Sequence, residues 1–538
     1  MTRMWRQRLL LAALVGSLTA VVVARADDLG RIDFPTSGSG EAQKHFLRGA
    51  LLLHSFEFDD AAEEFRAAEK AEPGFAMAYW GEAMTFNHPL WMEQDAAAAR
   101  KALEELAPTP EGRLAKAPTE REKMYLSAVE ALYGKGDKAA NDKDYAEAMR
   151  RLHEKFPEDE NAAAFYALAL LGTCEGKRDF PTYMKAAAVA EDVFAKNPLH
   201  PGAVHYLIHS YDDPVHAPLG MRAARVYAKI APAAGHALHM PSHIFFASGM
   251  WEEAAASNEA AWKASLDRAD RKKLGPDDPN YHNYHALLWL EYSYLQLGRY
   301  GDARKALAAM EEDAGKSGSN RAKTHLAMMR AAYVVETRRF DGDVARSLSG
   351  SEKGVALFAE GFAAAGRKDW EGARKAAASI GKETTEPHHG GGSMYAMRQA
   401  SEASADAVMK KELEALLAAS AGPERGVALA KAAAAAEDTM SFDFGPPDVA
   451  KPAHELLGEM LFSAGKSAEA RAEFERSLAG APNRALSLLG LARAATKAGD
   501  RPASEDAYRR LAAVWRYADP DLPEVAEVRR SASPIAAR

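Results

Sequence analysis

The chain has 538 residues, with 68 Lys and Arg against 76 Asp and Glu, and a formal net charge of −8. A net acidic chain without a basic block gives no reason to expect nucleic acid or an anionic lipid surface as partner. Its length exceeds what one compact core supports, which leaves several domains or a repeat array.

In chain order, the first element is a targeting segment. "MTRMWRQR" carries three arginines and no acid, "LLLAALVGSLTAVVV" is an apolar core, and "ARA" supplies small residues before Asp27. This is the pattern of a secretory signal over 1–26, cleaved after Ala26. Its removal takes four arginines and no acids, so the charge falls from −8 to −12. No other stretch approaches the roughly 20 apolar residues of a membrane span, and the mature chain is expected to be periplasmic or secreted. After a short segment, 27–41, a unit starting at Ala42 places Gly49, Ala61, Phe65 and Pro73 at positions 8, 20, 24 and 32.

"AYWGEAMTFNHPLWMEQ" follows, with Tyr79, Trp80, Phe86, His88 and Trp91 as core packing or a substrate-contacting wall, and with Glu82 as a candidate carboxylate. "APTPEGRLAKAPT" reads as a loop. Cys174, the single cysteine, excludes an internal disulfide and falls in the apolar helix "NAAAFYALALLGTC", where burial is expected.

Nine of the 17 histidines then fall between His200 and His285. A unit from Pro201 contains "AVHYLIHSYDD" and the next, from Gly235, contains "GHALHMPSHIFF". His205 and His239 both take position 5 of their units, and His209 and His243 both take position 9, so the second pair repeats the first one unit later. His236 is at position 2 of its unit, His285 at position 2 of a unit from Tyr284, and His282 lies just before it. Pro241, between His239 and His243, either kinks one helix or starts a new one.

Further units are phased around residues 324 and 354. "GKETTEPHHGGGSM" reads as a flexible loop or a lid carrying His388 and His389, and "SFDFGPPDVAKP" as another loop. From Lys451, Leu457, Gly458, Ala470, Phe474 and Pro482 stand at positions 7, 8, 20, 24 and 32, and Gly499 follows Gly465 by the same interval that separates His205 from His239. "HELLGE" lacks the second histidine of a zinc-protease helix and is rejected as one.

The 34-residue pattern resembles the tetratricopeptide repeat, and the region "HYLIHSYDDP … HMPSHIF" is similar to exported bacterial proteins of that type. The resemblance implies an all-α, right-handed superhelical solenoid of helix–turn–helix units. The expected divisions are an N-terminal array over 42–317, degenerate helical repeats over 318–440, a repeat pair over 441–518 and a tail over 519–538. It further implies that positions 2, 5, 9, 12 and 13 line a concave groove.

Under that phasing four imidazoles, His205, His209, His239 and His243, project into one groove from two neighbouring helices. Spacing of i, i+4 and helices packed about 8–10 Å apart allow them to converge on one ion. His236, His282 and His285 are alternates, and Asp212 and Asp213 either ligate or orient an imidazole. Such ligands suit copper, zinc, iron or nickel and disfavour calcium and magnesium, and affinity is expected to fall below about pH 6. The functional expectation is therefore an exported repeat protein that binds a transition metal and docks a peptide, protein or small molecule. The alternatives are a copper- or iron-dependent oxidoreductase and a metal-free interaction scaffold.

Overall fold

The computed structural model describes residues 26–175, 177–349, 353–381, 393–441 and 445–532. The targeting segment, apart from Ala26, lies outside the described residues, as do His388 and His389. The chain forms a succession of antiparallel helix pairs, the expected all-α solenoid. Among the described residues the β-structure is one hairpin, which pairs Asn87 with Gln94 and His88 with Glu93.

The first pair shows why the units form. In Gly40–His54 the buried residues Ala42, Phe46, Gly49, Ala50 and Leu53 recur every three or four positions, and in Phe58–Ala71 so do Ala61, Phe65 and Ala68. Stacking depends on small residues facing one aromatic ring. A Cβ on Gly49 would lie 2.8 Å from the Phe65 ring and one on Gly81 of the next unit 2.3 Å from it. Phe474 sits in the same way between Gly458 and Gly490, at 2.9 and 2.3 Å. Phe65 and Phe474, each on a second helix, are thus wedged between first helices of consecutive units.

Remote units also meet. Gly30 packs against the Leu199 carbonyl, and the Tyr227 hydroxyl reaches Ser55 Oγ at 3.3 Å, so the first unit lies on the Pro201–Ile230 unit. Trp251 Nε1 donates to the Asn483 carbonyl (2.9 Å) and the Asp519 amide to the Gly298 carbonyl (3.0 Å), which joins the C-terminal units to the middle of the array. Two extended hydrophobic cores result, one from Leu29 to Ala254 and one from Phe246 to Val528. They meet at the short helices Gly235–His239 and Pro241–Ala247, which carry His236, His239 and His243.

Gly249 serves this junction. Its φ of +65° is the left-handed region, and an added Cβ would fall 2.0 Å from the Pro482 carbonyl oxygen. Gly465, at φ +79°, has no heavy atom within 4 Å of such a Cβ. Gly249→Ala is therefore expected to cost about 3 kcal/mol in denaturant unfolding, and Gly465→Ala about 1 kcal/mol, the backbone term alone. Equal effects of the two substitutions would contradict the contact.

Candidate metal centre

The histidines are brought together as two sets of three, not one set of four. His205, His209 and His236 offer ring nitrogens within 4.8 Å of one another, and so do His239, His243 and His285. Both sets obey one rule of construction, positions 5 and 9 of one unit with position 2 of the next. Each set therefore bridges two units, and the second set repeats the first one unit later. This replaces the expected single convergence of His205, His209, His239 and His243, because the ring nearest each i, i+4 pair comes from the start of the following unit.

The local sequence explains how each side chain is aimed. Pro201 begins the first helix, His200 Nδ1 accepts the Ala203 amide as its cap (3.2 Å), and His205 and His209 follow one turn apart on the buried side. At Pro241 the helix does restart. Met240, with φ −54° and ψ −36°, keeps helical geometry between the two short helices, so His239 and His243 stay on one face although the proline has no amide to donate.

The outer nitrogens fix the tautomers. His205 Nδ1–H donates to the His54 carbonyl (2.8 Å), His243 Nδ1–H to Asp212 Oδ2 (2.5 Å) and His239 Nδ1–H to Asn258 Oδ1 (2.6 Å). Asn258 Nδ2 donates to the Ala254 carbonyl (2.8 Å), which holds its Oδ1 toward the imidazole. With the proton on Nδ1, Nε2 carries a lone pair. His239 Nε2 and His243 Nε2 stand 3.0 Å apart with two such lone pairs facing each other. In the first set His209 Nε2 and His236 Nε2 each lie 3.1 Å from His205 Nε2. Two facing lone pairs repel unless a proton or a metal ion sits between them, so the outer hydrogen bonds leave the inner nitrogens able to act as ligands.

Electrostatics agree with neutral imidazoles. Burial lowers His205 and His239 to about 3, and it pushes His209, His236 and His285 well below the ordinary histidine value, with neighbouring histidines adding to the effect. His236 and His285 nevertheless keep partly exposed edges, so each set has one side open to solvent. The carboxyl of Glu57, raised by burial, accepts the His236 amide (2.8 Å) and holds the start of that helix in place.

Several other candidates are engaged elsewhere. His282 donates to Asp313 (2.6 Å) and stacks on Tyr281, outside both sets. Asp213 is held by Arg178 (2.8 Å) and by His216 (2.9 Å), so it is an ion-pair partner and not a ligand. Asp212 acts through His243 and belongs to neither set. Glu82 pairs with Arg66 at 2.5 Å. His454 lies between Glu473 and Asp438, packed inside its repeat.

Aromatic rings cover both sets. Phe56 packs edge-on against His205 with centroids 4.3 Å apart, and its face lies toward His236 (5.5 Å) and His209 (6.0 Å). Phe56 has φ +55° and stands at position 15 of its unit, where Gly249, Gly298, Gly465 and Gly499 also have positive φ. A phenylalanine there costs about 1 kcal/mol over glycine, and the sequence phasing could have revealed it. Trp91, at the tip of the hairpin and 41% exposed, meets both Phe56 (5.4 Å) and His236 (5.7 Å). Trp289 packs on His243 (4.5 Å), His239 (5.2 Å) and His285 (5.3 Å), and Gly445 lies against its indole.

Beside the first set a groove of about 700 Å³ runs between the Phe58–Ala71 helix, the hairpin and the end of the Trp251–Lys272 helix. Phe58 and His88 stack at 4.0 Å on its wall, and Arg66, Glu93, Arg268 and Lys272 give it mixed charge.

If Asp212 supports His243 as a ligand, Asp212→Asn keeps an acceptor but removes the charge behind the imidazole. Metal affinity at the second set is then expected to fall about 10–100-fold with the first set unchanged. A chelator-competition titration reads this, and an equal loss at both sets would refute the assignment.

No protein-family profile matches the chain, and no curated protein matches it by sequence. Among solved structures it is similar to yeast Tom70, at 12% identity over 86% of this chain and 96% of that one, with a TM-score of 0.33. It is also similar to the human IFIT1 dimer with m7Gppp-AAAA, at 12% identity over 93% and 90% with a TM-score of 0.34. The TPR domain of P58(IPK) aligns at 14% identity over 86% and 99%, with a TM-score of 0.23. At these identities and scores the likenesses add nothing to what the helix pairs themselves show.

Proposed function

We propose that this helical-repeat protein is exported and holds two transition-metal ions, one at His205, His209 and His236 and one at His239, His243 and His285. The groove beside the first set then docks a peptide, a protein segment or a small molecule. The observation that carries this reading is the 3.0 Å approach of His239 Nε2 and His243 Nε2, each with its Nδ1 proton committed elsewhere. Ordinary packing of buried histidines would turn a donor toward each acceptor. Six imidazoles and no carboxylate or thiolate in either set suit copper, zinc, iron or nickel.

The partly exposed His236 and His285, and the aromatic wall of Phe58, His88 and Trp91 next to His236, favour a reactive centre over a closed structural one. Copper or iron redox chemistry on a bound molecule is the catalytic form of this reading. Equilibrium titration of the purified protein with cupric and zinc ions, followed by elemental analysis after desalting, tests it. Two ions retained per chain are expected. Retention of none would leave a metal-free docking scaffold in its place.

A further inference from the structure

We propose that the two ions share one small exogenous anion, of the hydroxide or azide class, bound between them. This rests on the two-ion reading above and specifies what completes the centre. Three imidazoles leave at least one position vacant on each ion. Neither set contains a carboxylate or thiolate that could fill it.

The two sets are adjacent. The rings of His209 and His243 are 5.6 Å apart and those of His236 and His239 are 6.1 Å apart, so the sets face each other across less than one side chain.

The charge balance asks for an anion at this place. Two divalent ions would bring four positive charges into a buried pocket, with Asp212 as the carboxylate hydrogen-bonded to either set. Glu57, raised by burial, is turned to the His236 amide. A charge buried without a partner is costly, and a ligand that touches both ions offsets it with the fewest atoms. Entry is from the sides of His236 and His285, whose edges remain partly exposed, with Phe56 and Trp289 as apolar walls.

The test uses the full chain loaded with cupric ions to two per chain, with azide as the probe. Azide is expected to saturate at one per chain with a new charge-transfer absorption. The electron paramagnetic resonance signal of the pair should amount to far less than two spins, because a shared ligand couples them. His236→Ala and His285→Ala, each carrying one ion, should both regain one full spin and lose the one-per-pair azide band. Two uncoupled spins per chain, or azide saturating at two equal sites, would overturn the shared anion while leaving the two-ion reading intact. Failure to retain two ions at all would remove both.

Discussion

The double substitution His205→Ala/His209→Ala is expected to leave a protein that retains one ion instead of two, and His239→Ala/His243→Ala should do the same for the other set. Each pair supplies two of the three nitrogens of its set, so the surviving histidine cannot hold an ion alone. The affected site should lose about 4 kcal/mol or more, at least a thousand-fold in affinity. Neighbouring contacts predict a graded cross-effect. His243 and His209 rings lie 5.6 Å apart, so the remaining ion should bind somewhat differently once its charged neighbour is gone. Far-ultraviolet circular dichroism must show the helical array intact, since the substituted side chains are buried. Loss of both ions in a folded variant would mean a single shared site, and loss of neither would mean that the histidines bind no metal.

Acidification of the metal-free protein should unfold it steeply between about pH 6 and 4.5. His54, His200, His205 and His239 have no exposed surface, and burial lowers each of them, His54 to about 4 and His205 and His239 to about 3. In the unfolded chain each titrates near the ordinary value of about 6.5. The stabilisation from keeping them neutral is therefore complete above that value and is lost as pH falls toward the folded values. Each residue gives up about 1.4 kcal/mol per pH unit in that window, so four together remove about 8 kcal/mol by pH 5, comparable to a typical total stability.

This changes the sequence expectation that affinity falls below about pH 6 through protonation of the ligands. Inside the folded centre burial keeps His205, His209, His236, His239 and His285 neutral well below that, so metal release and loss of helicity should coincide on a pH titration. Bound metal should shift the midpoint downward. Release of metal at pH 5.5 from a fully helical protein would contradict this.

The helix pairs were legible because their periodicity is local. The glycine, alanine and phenylalanine positions recur once per unit, and Phe65 and Phe474 each sit between two glycines as that recurrence requires. The two i, i+4 histidine pairs were legible for the same reason. Their division into two sets was not, because the third nitrogen comes from stacking between units. His236 and His285 share position 2, yet only the packing of successive first helices tells which pair each of them joins.

The same limit applies to the surroundings. Phe56 and Glu57 reach the first set from the first unit of the array, and Gly445 reaches Trp289 from a loop several repeat units further along the chain. Asp212 and Asp213 are adjacent and identical in type, and what separates their roles is that one meets His243 and the other Arg178. His282 was drawn out of the cluster by Asp313, an acid on the second helix of the same unit.

The central claim is two ions at two three-histidine sets, and anomalous diffraction from crystals of the metal-loaded protein tests it most directly. Data collected on either side of the absorption edge of the bound metal should give two peaks per chain. One should lie about 2.0–2.1 Å from the Nε2 atoms of His205 and its partners His209 and His236, and the other at the same distance from ring nitrogens of His239, His243 and His285. A single peak shared by His205, His209, His239 and His243, or no peak at these residues in a metal-containing crystal, would contradict the account.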